Sequence, residues 1–136
     1  MTGYKQIYCK FWTDTKVQEE MTANDRYLFL YFITNPLNNI LGCYEIGLKH
    51  IELETGLSRE EITESISHLT NVHCIDYEYS SNEVLIKNYA KHNWNKSPKL
   101  DPCILKELPN VRSAEHKSYL AQLYNSRETV KEPYYE

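Results

Sequence analysis

The best candidate for binding chemistry in this sequence is a basic and aromatic strip between Lys87 and Lys99. It holds four lysines and a histidine, no acidic residue, and two interleaved aromatic side chains. Lysines neutralise phosphates and aromatic rings stack on bases, so this composition is typical of contact with nucleic acid of any sequence. Alternatively, the two aromatic residues belong to the core or to a subunit contact, and the lysines only solvate the outside. The strip comprises Lys87, Tyr89, Lys91, His92, Trp94, Lys96 and Lys99.

A second candidate is the second helix of a predicted helix-turn-helix, whose early exposed residues reach base edges in the usual docking to the major groove. Its reading residues would be Arg59, Thr63 and Ser67. However, the same helix carries three glutamates against one arginine. Negative side chains beside the phosphate backbone oppose binding, so we expect an acidic face that is solvated or contacts a protein. Sequence-specific reading through Arg59 remains the alternative.

Catalytic and metal-binding chemistry find little support in the sequence. There is no glycine-rich phosphate loop, no HExxH motif and no GxSxG motif. The cysteines contain no CxxC pair, which argues against zinc. We therefore predict no enzyme, no metal and no cofactor, and free cysteines that are buried. His50 and Glu54 form a helical i, i+4 pair that supports a surface helix. The cysteines are Cys9, Cys43, Cys74 and Cys103, and the histidines are His50, His68, His73, His92 and His116.

Both candidates depend on the segment 47–87, in which the hydrophobic pattern changes. Apolar residues first recur at helical spacing, and Gly56 then supplies a turn with positive φ. Ser58 and Glu61 form the signature of a capping box before a second helix. Beyond Asn71 the period becomes two, on either side of a polar turn at 80–82. This order predicts a winged helix-turn-helix. Its patterned positions are Leu48, Ile51, Thr55, Ile62, Ile66, Leu69, Val72, Cys74 (with Ile75), Tyr77, Val84, Leu85 and Ile86.

The flanking segments complete the predicted fold. Aromatic and β-branched residues over Tyr4–Phe11 indicate an edge strand, which Trp12 closes. Thr22 caps a buried helix that ends at Asn35, before Pro36. The fold class is therefore mainly α with a small antiparallel β-sheet, a winged helix-turn-helix with an extra N-terminal strand and C-terminal helices. We expect a winged-helix domain at 3–108, a C-terminal helix packing on it at 109–124, and a tail or linker start at 125–136. A short polar helix or turn at 14–21, a strand at 42–46 that pairs with the wing, and helices at 101–108 and 113–124 are also predicted.

Charge and composition restrict the partners. The net charge of −4 argues against a protein that coats nucleic acid over its whole surface. Residues 47–86 carry two Lys/Arg against eight Asp/Glu, whereas residues 87–136 carry nine against six. The longest apolar run, Tyr27–Ile33, is too short to span a membrane, so we expect a cytoplasmic protein. Twelve tyrosines favour protein contacts, where one end of a side chain is apolar and the other is wet.

Five short motifs stand out when they are taken together. They are GYKQIYCKFWTD at 3–14, TNP at 34–36, GCYEI at 42–46, ETGLSRE at 54–60 and IKNYAKHNWNKSPK at 86–99. In their order and content they resemble the N-terminal winged-helix domain of phage replication initiation proteins, or replisome organisers, which are related to the DnaD-like primosomal proteins of Gram-positive bacteria. The similarity extends to about Leu108. The ending ETVKEPYYE resembles the linker entry of longer members, so we expect either a fragment of such a protein or a short relative.

The resemblance implies replication initiation at a phage origin, self-association, and contact with the host helicase or its loader. One departure is Glu52, because many helix-turn-helix units have a small residue there. We predict a homo-oligomer, a dimer or tetramer, with weak DNA contact. A sequence-specific transcriptional regulator and a protein that captures a host factor through its acidic helix are the alternatives. The expected subunit contacts are Tyr4, Ile7, Tyr8, Phe11, Trp12, Tyr119 and Leu123.

Overall fold

The computed structural model describes residues 3–127. Over this range the fold is mainly helical with a small three-stranded antiparallel sheet, which confirms the predicted class. Short 3-10 helices at Cys9–Thr13 and Leu108–Asn110 accompany the main elements. These are α1 (Thr15–Glu20), α2 (Ala23–Thr34), β1 (Cys43–Glu45), α3 (Leu48–Thr55), α4 (Arg59–Asn71), β2 (Ile75–Glu78), β3 (Glu83–Ile86), α5 (Tyr89–Asn93), α6 (Leu100–Glu107) and α7 (Ala114–Ser126).

The N-terminal segment, residues 3–14, does not form the predicted strand. Its first half is irregular and its second half is the 3-10 helix. A strand is stable only beside a neighbouring strand, and none of the three strands pairs with this segment. Phe11 instead packs against Phe29 of α2, with ring centroids 6.2 Å apart. Asp14 then caps α1, since its carboxylate accepts hydrogen bonds from the backbone N–H groups of Lys16 and Val17.

Helix α2 begins and ends where the sequence predicts. The Thr22 hydroxyl accepts a hydrogen bond from the Asp25 N–H, and the Asp25 carboxylate accepts one from the Thr22 N–H, which completes a capping box. The helix ends before Asn35, the residue preceding proline. Leu28 and Phe32 are fully buried on the side that faces the core.

The helix-turn-helix is formed by α3 and α4. Gly56 lies between them with φ +78°, the left-handed conformation that the sequence predicts for it. Ser58 and Glu61 form the predicted capping box at the start of α4. The apolar stripes of the two helices are buried at Ile51, Ile62, Ile66 and Leu69.

The sheet has the strand order β1-β3-β2, and β3 is antiparallel to both neighbours. The β2–β3 hairpin is the predicted wing, and β1 pairs with it as expected. Two buried hydroxyls donate to carbonyls of neighbouring segments, and the first of them joins the sheet to α2. The Tyr44 hydroxyl donates to the Phe32 carbonyl at 2.6 Å, and the Tyr77 hydroxyl donates to the Ile46 carbonyl at 2.6 Å.

Helices cover both faces of this sheet. All four residues of β3 are buried, and successive side chains point to opposite faces. Val84 and Ile86 belong to a first core with α2, α3 and α4, whereas Leu85 belongs to a second core with α5, α6 and α7. Helix α7 therefore packs on the winged-helix unit through the second core. The second core consists of Leu41, Cys43, Leu85, Ala90, Ile104, Val111 and Leu120.

The C-terminal helix is longer than predicted. Helix α7 continues to Ser126, and Arg127, which the prediction places in the tail, is only 7% exposed at its side chain. Its guanidinium donates to the Asp101 carboxylate at 2.9 Å and to the carbonyls of Asn95 and Ser97 at 2.6 and 2.9 Å. The predicted tail at 125–136 thus begins too early. Residues 128–136 lie outside the described residues.

The prediction of buried free cysteines is half right. All four thiols are free, and Cys43 and Cys74 are buried. Cys9 and Cys103 are exposed, because the segment 3–14 and one side of α6 face solvent.

Candidate nucleic-acid and subunit interfaces

The exposed face of α4 is acidic, and its single arginine is already paired. The Arg59 guanidinium lies 2.7 Å from the carboxylate of Glu52 on α3. Glu52 thus points outward, which resolves the departure from a small residue at this position. The Thr63 hydroxyl donates back to the backbone carbonyls of Arg59 and Glu60, at 3.0 and 3.2 Å. Two of the three predicted base-reading side chains are therefore engaged within the helix-turn-helix, while Ser67 is exposed.

The tip of the wing carries no positive charge. It consists of Tyr79, Ser80, Ser81 and Asn82, and Tyr79 is 51% exposed. The Ser81 hydroxyl donates to the Glu78 carboxylate at 2.5 Å, which lowers the pKa of Glu78. A tip without a positive charge, flanked by Glu78, offers nothing to neutralise a phosphate.

The fold divides the basic strip 87–99 into parts with different surroundings. Trp94 is half-buried in the second core, and its indole N–H donates to the Ile40 carbonyl at 2.8 Å. The Lys87 ammonium lies 4.7 Å from the centroid of the Tyr119 ring, in a cation–π contact. Lys91, His92, Lys96 and Lys99 are exposed. The strip is therefore not one continuous stacking surface, because its tryptophan packs inward.

A groove of about 760 Å³ brings together basic residues that are far apart in the sequence. It runs between the segment 3–14 and the body of the fold. Its apolar lining includes Met21, Phe29 and Ile33. Lys10 and Lys16 line it from the N-terminal side, and Lys87 lines it from the start of the basic strip. His92 and Tyr89 of α5 line the same groove. The first half of the predicted strip therefore lies near basic residues of the N-terminal part of the chain, which the sequence pattern does not predict.

The N-terminal segment exposes several large apolar side chains. Tyr4, Tyr8 and Trp12 are 77%, 65% and 57% exposed, and Ile7 is 39% exposed. Phe11, in contrast, points inward and packs on Phe29. Four of the five predicted contact residues in this segment are thus available to a partner.

The other two predicted subunit contacts, Tyr119 and Leu123, pack within the chain. Both are partly buried against the second core. The Tyr119 hydroxyl accepts a hydrogen bond from the Asn88 N–H at 3.3 Å, and its ring lies beneath Lys87. These two side chains pack α7 against the second core and α5, so only part of the surface of each is accessible to a second subunit.

A buried polar cluster, which the sequence did not reveal, lies between the sheet and α7. His116 is 2% exposed, and its Nδ1 lies 2.8 Å from the Glu83 carboxylate. Its Nε2 lies 2.6 Å from the Asp76 carboxylate. Glu83 also accepts hydrogen bonds from the backbone N–H groups of Arg112 and Ser113, at 2.7 and 3.0 Å. No spacing rule links these positions, since they stand on β2, β3 and α7.

Cys43 borders this cluster, with its Sγ 3.9 Å from His116 Nδ1. Burial and the neighbouring Glu83 carboxylate raise the pKa of the Cys43 thiol. A catalytic cysteine needs a thiolate and an open approach for the substrate, whereas Cys43 is 3% exposed and its histidine nitrogen faces a carboxylate. The pair therefore lacks the features of a nucleophilic dyad.

Comparison with known proteins finds no matching family model, no matching curated protein and no matching solved structure. Among residues 3–127, no helix is both long and apolar enough to cross a membrane.

Proposed function

We propose that this chain is a self-associating winged-helix module of a phage replication initiation protein, acting in the cytoplasm of the bacterial host. In this role it is a scaffold that contacts the helicase or its loader and has little affinity for duplex DNA. Support comes from the motifs quoted above, from the helix-strand-helix-helix-strand-strand order of the described fold, and from the character of two surfaces.

The exposed apolar side chains of the N-terminal segment carry the proposal. Tyr4, Tyr8 and Trp12 are more than half exposed within a stretch of nine residues. Large apolar side chains exposed together in one short segment favour a protein contact, and tyrosine and tryptophan are enriched where proteins meet. A second copy of the chain would remove these side chains from water, with a gain of about 1.5–3 kcal/mol for each large side chain that becomes fully buried.

The acidic face of α4 supports the low affinity for duplex DNA. Glu60 and Glu64 are exposed beside Arg59, whose charge is neutralised by Glu52. In a major groove these carboxylates would face phosphates without compensation. A basic surface of a partner protein fits this face better.

Light scattering coupled to size exclusion tests the proposal across a range of concentrations, with and without a labelled duplex. We expect a dimer or larger that elutes apart from the duplex at moderate salt. The double variant Tyr8→Ser/Trp12→Ser should associate at least about tenfold more weakly, which corresponds to about 1.4 kcal/mol. Tyr79→Ser, which removes an aromatic side chain of similar exposure on the wing, is the control and should associate normally. A protein that stays monomeric at every concentration would contradict the proposal.

The alternative, a sequence-specific regulator, requires Arg59 to leave Glu52 and reach a base. A monomer or dimer that retains the duplex at moderate salt would favour this alternative.

A further inference from the structure

Three buried side chains with metal-binding atoms meet between the sheet and α7. Cys43 comes from β1, Glu83 from β3, and His116 from α7. One ligand atom of each lies within 4.8 Å of the others. Their exposed fractions are only 2–3%, so this is not an ordinary cluster of surface carboxylates.

We propose that Cys43, Glu83 and His116 bind one thiophilic divalent cation, for which Zn²⁺ is the best match. The inference goes beyond the proposed replication role and does not depend on it. It also reverses the expectation from sequence spacing that the chain holds no metal.

The donor set determines the choice of ion. A thiolate sulfur, an imidazole nitrogen and a carboxylate oxygen are the three ligand types that Zn²⁺ takes in proteins. The sulfur disfavours Mg²⁺ and Ca²⁺, which prefer oxygen ligands. The two anionic ligands balance the two charges of the ion, so the ion and its three ligands together carry no net charge in a buried place.

Neighbouring groups already orient two of the ligands. Asp76 accepts a hydrogen bond from His116 Nε2 at 2.6 Å, which turns Nδ1 toward Glu83 and Cys43. A carboxylate on the far nitrogen of a histidine is the usual support of a metal-binding imidazole. The backbone N–H groups of Arg112 and Ser113 hold the Glu83 carboxylate in the same way.

An ion can reach the cluster with small movements. A cavity of about 140 Å³ is lined by Cys43 and Glu83, together with Asn39, Glu107 and Asn110. On binding, the protons of the Cys43 thiol and of His116 Nδ1 pass to solvent, and both atoms bond to the ion. The Nδ1 to Glu83 oxygen distance of 2.8 Å must widen to about 3.4 Å, the spacing of two ligands on a tetrahedral ion. A water molecule from the adjoining cavity would complete the coordination.

Cobalt(II) is the probe, because its bond to a thiolate gives a charge-transfer band in the near ultraviolet. The full chain is used without a tag, with a non-chelating reductant. Cys9 and Cys103 are exposed and can bind the probe adventitiously, so the titration is done in the Cys9→Ser/Cys103→Ser background. We expect one cobalt per chain with a thiolate band, displacement of cobalt by Zn²⁺, and no displacement by Mg²⁺.

Two matched variants separate this site from other thiols. Cys43→Ser should lose the band and weaken binding at least tenfold. Cys74→Ser, which alters the other buried cysteine, should keep the band. Asp76→Ala leaves all three ligands in place and should weaken binding by about ten- to a hundredfold through the orientation of His116.

The measurement on the background chain decides the outcome even if a variant fails to fold. Absence of stoichiometric cobalt uptake overturns the proposal, and the cluster is then a hydrogen-bonded network only. A thiolate band that persists in folded Cys43→Ser, as judged by circular dichroism, also overturns it.

Discussion

The guanidinium of Arg59 lies 2.7 Å from the carboxylate of Glu52, so the two helices of the helix-turn-helix are joined by an ion pair across their exposed side. Arg59 is the only arginine or lysine of α4. The pair is partly exposed and is worth at most about 1 kcal/mol of stability. The pair also neutralises the one arginine of α4 that could offset the glutamates of this helix.

The first prediction concerns duplex binding by this pair. Arg59→Ala should leave the affinity for random duplex DNA within about twofold, because its charge is already neutralised. Glu52→Gln frees the guanidinium and removes one negative charge, so affinity should rise modestly at low salt. Fluorescence anisotropy with a labelled duplex measures both. A defined operator that Arg59→Ala no longer prefers would show that Arg59 reads bases.

The second prediction concerns the groove beside the N-terminal segment. If DNA is bound weakly here, Lys16→Ala and Lys87→Ala should each lower the affinity and reduce the salt slope of log K by about 0.9 for each phosphate that is no longer neutralised. Lys49→Ala removes an exposed lysine on α3, outside the groove, and is the control. If Lys49→Ala lowered the DNA affinity as much as Lys16→Ala and Lys87→Ala do, the attraction would be non-specific and spread over the whole surface.

The third prediction concerns Glu83, which holds α7 to the sheet. Glu83→Gln weakens the acceptor for two backbone N–H groups and for His116, so the free energy of unfolding should fall by about 3 kcal/mol. Glu45→Gln is the control, because Glu45 lies opposite Glu83 in the ladder but is exposed. Its effect should stay within about 0.5 kcal/mol. Urea unfolding in metal-free buffer measures both, and equal losses would contradict the assigned role of Glu83.

The fourth prediction uses two glycines with positive φ. Gly42 has φ +68°, and a Cβ there would lie 2.6 Å from the Cβ of Tyr89. Gly56 has φ +78° with open space around it. Gly56→Ala should therefore lose only the conformational preference, about 1–2 kcal/mol, whereas Gly42→Ala should lose about 3 kcal/mol or more because α5 must also move. Urea unfolding measures the free energy of unfolding of both variants. Equal losses would show that Tyr89 moves away from the new Cβ without a loss of stability.

The fifth prediction concerns acid stability near Glu54. Its carboxylate accepts a hydrogen bond from the Tyr31 hydroxyl at 2.6 Å and one from the Asn35 amide at 2.9 Å. These bonds, with the nearby His50, hold the pKa of Glu54 below its ordinary value of 4.5. The stabilisation is therefore complete above that value and is lost as the pH falls through the lower pKa of the folded state.

Consequently, the difference in unfolding free energy between the native protein and Glu54→Gln should shrink as the pH falls below 4.5. Tyr31→Phe removes the principal hydrogen bond and should flatten the pH dependence. Urea unfolding across an acidic pH series measures the effect. A difference that is constant with pH would contradict the assigned role of Tyr31.

Local features were predictable because their causes lie within a few residues. The Thr22 cap of α2 and the Ser58–Glu61 capping box of α4 act within three positions, and Gly56 needs only its own φ. Burial of one face in α3, α4 and β2 likewise follows from hydrophobic period. Strand β3, in contrast, is buried on both faces because helices cover both sides of the sheet. The strand predicted over residues 4–11 failed for the opposite reason, since a strand depends on a neighbour that the local sequence does not specify.

In the basic strip, composition predicts which side chains are exposed but not what the buried ones contact. Its lysines are mostly on the surface, as their charge requires, but Trp94 turns inward to the Ile40 carbonyl. The strip's first half joins Lys10 and Lys16 in one groove. The proximity of Lys87 to Lys10 and Lys16 depends on where the N-terminal segment packs on the fold. No local sequence pattern encodes that position.

The sequence by itself determined the mainly helical class, the helix-turn-helix with its wing, and the acidic character of α4, because periodicity, capping and charge are local properties. Only the tertiary structure decided the neighbours of Arg127 and the meeting of Cys43, Glu83 and His116. His116 stands 33 residues from Glu83 and 73 from Cys43, and such contacts require α7 to pack on the face of the sheet that carries the second core. Packing in three dimensions, rather than spacing along the chain, assembles that cluster.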